Sequence, residues 1–343
     1  MIISRAPLRV SFFGGGTDYP AHFLRHGGAV LGSAIDQYVF ITASEFPGTP
    51  FFDYNIRVSY REIETVSNLD DLKHGPIREA LRRCNYSRDV ELHHIADLPA
   101  KTGLGSSSSF SAALLQALYR LRGREISGLP LAYEAIHFER NILRESVGCQ
   151  DQTFAAVGGF NVIEFRKEDD IAVTPIQLSA GRMTELESHL MMVYTGMTRA
   201  AENVVKSQLT KVADNAERYK RMRRQVDQAH DILMSNRPLS EFGELLDAAW
   251  QEKRALHTVI SNPLVDNLYA TAKQTGALGG KLLGAGAGGF LLLFVPPERQ
   301  RAVSEAMRDH RIVRPGLAAP GSCVIFNGSR SQSDVKQPST LHA

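Results

Sequence analysis

The sequence predicts an α+β fold in two domains, and three observations carry that reading. Segments with strand character come in runs separated by helical segments, without the strict alternation that builds a doubly wound sheet. The 343 residues exceed one ordinary domain of about 150. Hydrophobic residues at 43% and charged residues at 22% are the mix of a folded globular chain, not of a disordered one.

The elements follow in order. Ile2 to Phe13 alternates loosely and stops at three glycines, as an opening strand would. Ala29 to Phe46 reads as a strand pair, with Val39, Phe40 and Ile41 continuous and apolar. Val90 to Leu98 has strand character and is closed by Pro99. After Gly105, apolar residues fall at Phe110, Ala113, Leu114, Ala117, Leu118 and Leu121, the spacing of an amphipathic helix that opens on a Gly/Ser loop. A second helix is expected from about Pro130 to Arg144, with Ala135, Ile136, Ile142 and Leu143 on its apolar stripe. Thr184 to Met192 predicts a strand, Ala200 to Ala255 charge-studded helices, and Gly276 to Val295 a glycine-rich loop feeding a strand. The least structured boundary lies near 176–182. The expected domains are therefore 1–180 and 181–326, followed by a polar, flexible tail over 327–343.

Composition narrows the function classes. Lys plus Arg number 39 against 37 Asp plus Glu, a net charge of +2, which argues against a polybasic nucleic-acid binder. Cys84, Cys149 and Cys323 contain no CxxC, so neither a disulfide framework nor a cysteine zinc site is expected, and a reducing compartment fits. No secretory leader is visible, and the apolar run Phe290 to Val295 is far too short for a bilayer of about 30 Å. A cytoplasmic protein with no membrane or nucleic-acid partner is the expectation; oligomeric state is not legible.

Three loops and two carboxylates carry the chemistry. In Pro99 to Ser109, PAKTGLGSSSS, glycines admit an anion to the backbone and four hydroxyls crowd the first turn of the helix that follows. A helix N-terminus offers unpaired N–H groups and the positive end of its dipole, which suits phosphate. Plain capping would need one serine, not four. This is not a Walker A loop, because Gly-Lys-Ser/Thr is missing. Gly284 to Gly289 formally satisfies GxGxxG, yet it leads into a strand, whereas a dinucleotide fingerprint follows a strand and opens a helix. Phe13 to Tyr19, FGGGTDY, could be a turn closed by an Asx hydrogen bond or part of a site. Glu139 falls three residues from both Ile136 and Ile142, so it points partly inward, where a charge needs a salt-bridge partner or a metal. Asp151, twelve residues on, could cap the next helix or act as a base.

Taken together, these residues resemble the GHMP small-molecule kinases. PLRVSFFGGGTDYP is similar to the first family motif, PAKTGLGSSSS to the second and KLLGAGAGGF to the third, and Glu139 to Gln152 resembles the galactokinase stretch that ends Gly-x-x-Asp-Gln. The resemblance runs from residue 7 to residue 290. It implies an N-terminal α+β domain related to a ribosomal-protein fold and a C-terminal ferredoxin-like domain, with ATP between them. By motif matching, Lys101, Gly103, Leu104, Gly105 and Ser106 to Ser109 would meet the nucleotide, and Ser107 with Glu139 would hold Mg²⁺, with the choice among Ser106, Ser107 and Ser108 open. Asp151 would be the base and Arg9 would stabilise charge beside it. Gly16, Thr17, Asp18 and Gly286 would face the sugar.

The first motif also departs from the galactokinase form, because Gly14-Gly15-Gly16 replaces its Gly-Glu-His. The triple glycine is similar to the D-glycero-D-manno-heptose 7-phosphate kinases and, less closely, to bacterial fucokinase domains. The implied activity is phosphorylation of that heptose phosphate at its anomeric hydroxyl. A kinase of an unphosphorylated hexose, or a non-catalytic sensor of the same fold, are the alternatives. A far phosphate on the substrate would need a cation, for which Arg199 is the candidate and a surface arginine the plain alternative. Lys101 and Lys281 could also contact phosphates.

Overall fold

The computed structural model describes residues 1–46, 51–197 and 214–328. Strand β1 (Ile2–Phe13) is buried along most of its length and pairs antiparallel with β2 (Gly28–Glu45); the short helix α1 (Pro20–His26) bridges them. The expected strand pair over 29–46 is thus one 18-residue strand, because a register shift at Pro7/Leu8 lets it bend without breaking. Its second half pairs with β5 (Val90–Ala96) and its first half with β6 (Phe160–Lys167), which in turn carries β7 (Asp170–Pro175). Strands β3 (Ile56–Ser59) and β4 (Ile63–Val66) extend the β5 edge, and α2 (Gly75–Arg83) follows them.

Helix α3 (Ser106–Leu121) lies against β1 and β2. Twelve of its sixteen residues are buried, from Ser108 to Tyr119. A helix covered nearly all round has no room for a polar face, and this one is rich in Ala and Leu accordingly. Next come α4 (Gly128–His137) and α5 (Gln150–Val157). The helix expected to run to Arg144 instead passes into a π-helical turn, Phe138–Ile142, which presents Glu139 to the interior.

The second sheet has four strands in the order β11-β8-β10-β9. They are β8 (Leu190–Tyr194), β9 (Gly279–Leu282), β10 (Phe290–Phe294) and β11 (Ile312–Val313). Helix α6 (Ala180–Ser188) precedes β8, so the strand predicted over 184–192 is half helix. The Ser179 hydroxyl caps it by accepting the Arg182 N–H at 3.2 Å. Helices α7 (Ala216–Met234), α8 (Ser240–Arg254), α9 (Pro263–Thr275) and α10 (Gln300–Ala306) complete this half. The glycine-rich stretch from 276 is not all loop, since β9 lies within it.

The chain then returns. Strand β12 (Cys323–Asn327) pairs with β1 at the edge of the first sheet, so these residues depart from the expected second-domain span of 181–326. Asn327, expected to open the tail, is still in that strand; residues from 329 on lie outside the described residues. No helix among the described residues is long and apolar enough to cross a membrane.

Candidate active site

A cleft of about 560 Å³ opens between the two sheets, and all three loops line it. On its floor Arg9, 3% exposed, grips Asp151 in the first turn of α5. Nε donates to Oδ1 at 2.9 Å and Nη2 to Oδ2 at 2.7 Å, the parallel fork that fixes a carboxylate in orientation as well as place. The remaining arm, Nη1, donates to the Gly103 carbonyl at 2.6 Å and so ties this pair to the phosphate-type loop.

Asp18 lies close by, 1% exposed. Its Oδ1 accepts the Gly16 N–H at 2.9 Å and its Oδ2 the Gln150 N–H at 3.3 Å. Burial raises its carboxyl above the usual range, and the negative charge of Asp151 adds to that. Gly148 is required here: a Cβ would fall 1.9 Å from Asp18 Oδ2. Gly103 and Gly284 meet the same kind of need, since a Cβ on Gly284 would sit 2.5 Å from the Gly103 Cα. The GxGxxG stretch therefore serves as the surface on which the phosphate-type loop rests.

The serines separate by direction. Gly105, at a left-handed φ of 75°, precedes α3. Ser106, Ser107 and Ser108 line the cleft. Ser109 does not: buried, it donates to the Pro7 carbonyl at 2.6 Å and pins the helix to β1. Ser108, not Ser107, meets Glu139, donating to Oε2 at 3.0 Å. Successive helical residues turn by about 100°, so Ser108 and Ser111 share the face toward Glu139 while Ser107 turns away from it to the open cleft. Leu104 is also withdrawn, 0% exposed, with its carbonyl accepting the Arg9 N–H at 3.0 Å. Thr17 is 0% exposed too: its one hydroxyl proton lies within reach of both the Gly14 and the Ala29 carbonyl, and its oxygen accepts the Ala29 N–H. Leu104, Ser109 and Thr17 thus build the site and do not line it. Lys101, Gly16 and Gly286 do line it, while Arg199 lies outside the described residues.

Glu139 is fully buried, and burial pushes its carboxyl up to about 7 against the Ser111, Gln152 and Ser108 groups beside it. Gln152 Nε2 donates to Oε2, whereas Oε1 and the buried Ser106 Oγ have no hydrogen-bond partner among the described residues. A carboxylate and hydroxyls with spare lone pairs beside a phosphate-type loop fit a hard cation that shares phosphate oxygens. Among the described residues no three of His, Cys, Asp or Glu gather, so the protein would supply only part of such a shell.

Residues that motif reading passed over complete the walls. Gln150 and Gln152 flank Asp151, and Lys253 enters from α8. Lys253 falls three residues after Trp250 and seven after Leu246, on the buried face of that helix, a spacing that would have revealed it.

Comparison with known proteins agrees with this geometry. The GHMP kinases N terminal domain matches residues 74–159, and the GHMP kinases C terminal domain matches residues 232–312. The D-glycero-alpha-D-manno-heptose 7-phosphate kinase of Campylobacter jejuni is 28% identical over 327 residues, 90% of this chain and 93% of that protein. A mevalonate kinase of Pyrococcus horikoshii is 26% identical over 338 residues, 90% of this chain and 92% of that one. The crystal structure of a D-glycero-D-manno-heptose 1-phosphate kinase from Bacteriodes thetaiotaomicron superposes with a TM-score of 0.76 over 96% of this chain and 100% of that one. At 22% identity that likeness speaks for the fold alone. Both family domains in order, on a fold shared along nearly the whole chain, make this protein a small-molecule phosphotransferase. It belongs to the GHMP kinases.

Proposed function

We propose that this protein transfers the γ-phosphoryl group of ATP to the anomeric hydroxyl of D-glycero-D-manno-heptose 7-phosphate, giving the 1,7-bisphosphate. The observation that carries the reading is the two-bond grip of Arg9 on Asp151 beside the loop that opens α3. A carboxylate so oriented accepts the proton of an attacking hydroxyl, and phosphoryl transfer otherwise needs mainly positioning and charge neutralisation. Asp18 lines the cleft, where its carboxylate would accept hydrogen bonds from sugar hydroxyls. The triple glycine leaves room beside the ring where a galactokinase-type loop carries Glu-His. The similarity to the Campylobacter jejuni heptose phosphate kinase, along 90% of this chain, supports the acceptor. Mg²⁺ would be held by Ser108 and Glu139, with Ser106 within the same turn of helix, and when bound it would neutralise phosphate charge.

Coupled ADP release over a panel of heptose 7-phosphate, heptose, galactose, fucose and mevalonate tests the reading. The expected result is the highest kcat/KM for the heptose phosphate. A better rate with galactose or fucose would assign the enzyme to unphosphorylated hexoses instead.

A further inference from the structure

Two lysines enter the cleft from the second half of the chain, and nothing in the mechanism above uses them. Lys253 of α8 is 7% exposed and Lys281 of β9 is 4% exposed, and both line the cleft. Among the described residues their amines meet only backbone carbonyls. Lys281 Nζ donates to Phe12 at 3.0 Å, while Lys253 Nζ donates to Gly284 and, at 3.4 Å, to Leu282. Among the described residues neither has a carboxylate within ion-pair distance. A buried ammonium without a counter-ion is unfavourable, and a structural strut alone would be served better by a neutral side chain of similar length.

Their placement says what the counter-ion is. The Lys253 partner Gly284 rests on Gly103 of the phosphate-type loop, and Gly103 accepts a bond from Arg9. The Lys281 partner Phe12 lies on the strand that runs into the Gly14–Gly16 turn and on to Asp18. The amines therefore stand between the donor loop and the acceptor carboxylates. We infer that Lys253 and Lys281 are further catalytic residues, donating hydrogen bonds to the non-bridging oxygens of the phosphoryl group while it passes from donor to acceptor. The inference rests on the kinase reading but not on the identity of the sugar.

In the step they assist, the acceptor oxygen forms its bond to Pγ as its proton passes to Asp151. The bond from Pγ to the β,γ-bridging oxygen breaks, and that oxygen leaves on ADP with the electron pair. The lysines give and take nothing covalently. Burial pushes both amines down, Lys253 to about 8 with Arg9 as a like charge and Lys281 with Lys253 and Arg9 as like charges, while Asp18 and, for Lys253, Asp151 pull the other way. An arriving dianion supplies the opposite charge the fold leaves out.

The test compares Lys253→Met and Lys281→Met with the parent enzyme, and Lys253→Arg as a charge-restoring variant. Losing one such donor from a preorganised site typically lowers kcat by about 10²–10³-fold. The expected result is a fall of that order in kcat for every acceptor the parent enzyme turns over, neutral or phosphorylated, with acceptor KM little changed and partial recovery in Lys253→Arg. The variants should also lose affinity for ADP with aluminium fluoride, a mimic of the transferring group, while keeping affinity for ADP alone. That binding arm reads out even if none of the chosen sugars is turned over, which separates failure of the substrate reading from failure of this one. A loss confined to phosphorylated acceptors would overturn the inference and make the amines a seat for the acceptor's own phosphate. Lowered melting temperature with unchanged kcat and unchanged fluoride binding would make them struts.

Discussion

Arg9 and Asp151 are 142 positions apart in sequence and joined by two hydrogen bonds of 2.9 and 2.7 Å. One partner is almost wholly buried and the other partly open to the cleft, with side-chain exposures of 4% and 29%. The guanidinium is fixed by the fold while the carboxylate still opens to the cleft, as the proposed base would need.

Replacing Asp151 by Asn keeps the size of the side chain and removes the proton acceptor. kcat should fall by about 10²–10⁴-fold with ATP affinity nearly unchanged. The variant should also melt earlier, because the buried guanidinium loses its counter-charge. A variant that retains more than about a tenth of parental kcat would remove Asp151 from the role of base.

The metal prediction contrasts two adjacent serines. Ser108→Ala and Glu139→Gln should raise the Mg²⁺ concentration needed for half-maximal rate by about tenfold or more, whereas Ser107→Ala should leave it nearly unchanged. Magnesium titrations beside melting curves decide the matter. A lowered melting temperature with an unaltered Mg²⁺ profile in Glu139→Gln would make the carboxylate structural only.

Thr17 gives a stability prediction free of catalysis. Its hydroxyl shares one proton between the Gly14 and Ala29 carbonyls and accepts the Ala29 N–H inside the Gly14–Ala29 turn. Thr17→Val should cost roughly 1–3 kcal/mol by leaving buried backbone groups unsatisfied. Chemical denaturation measures it, and an unchanged midpoint would contradict the role.

His22 makes stability depend on pH. The ring is 2% exposed, Nδ1 has no hydrogen-bond partner among the described residues, and Tyr219 lies 4.7 Å away, centroid to centroid. Burial, and then His26, lower its pKa to about 4. Its folded pKa lies below the unfolded value of about 6.5, so its contribution is complete above about 6.5 and drains away as pH falls toward 4. The difference is roughly 3 kcal/mol at full depletion. His22→Phe should flatten the fall in melting temperature between pH 7 and pH 4.5; parallel curves for both proteins would exclude His22 as the source.

How far the sequence reads through to this structure depends on the kind of residue. Glu139 stood out because an inward charge on an apolar helix face needs a partner, and Asp151 because it follows twelve residues on; Arg9 and Asp18 were picked out only by the resemblance, and the structure brings Arg9, Asp18 and Asp151 to one cleft. Thr17 and Ser109 were not separable from ligand-binding hydroxyls, because a hydroxyl next to a glycine can turn to the backbone or to the cleft. Ser107 and Ser108 differ only by a helical turn angle that depends on where α3 begins. The pairing of β12 with β1 joins Ile2 to Asn327, a contact no local pattern encodes. Over 184–192, Leu186 and Leu190 sit at helical spacing while the run into Met191 and Met192 reads as strand, and the chain uses both.

The central claim is transfer from ATP to an anomeric oxygen within the Arg9–Asp151 cleft. Phosphorus NMR of the product made from heptose 7-phosphate tests it most directly. The account predicts one new phosphorus resonance coupled to the anomeric proton, present with the parent enzyme and nearly absent with Asp151→Asn. A new resonance coupled to any other ring proton, or equal product from both proteins, would contradict it.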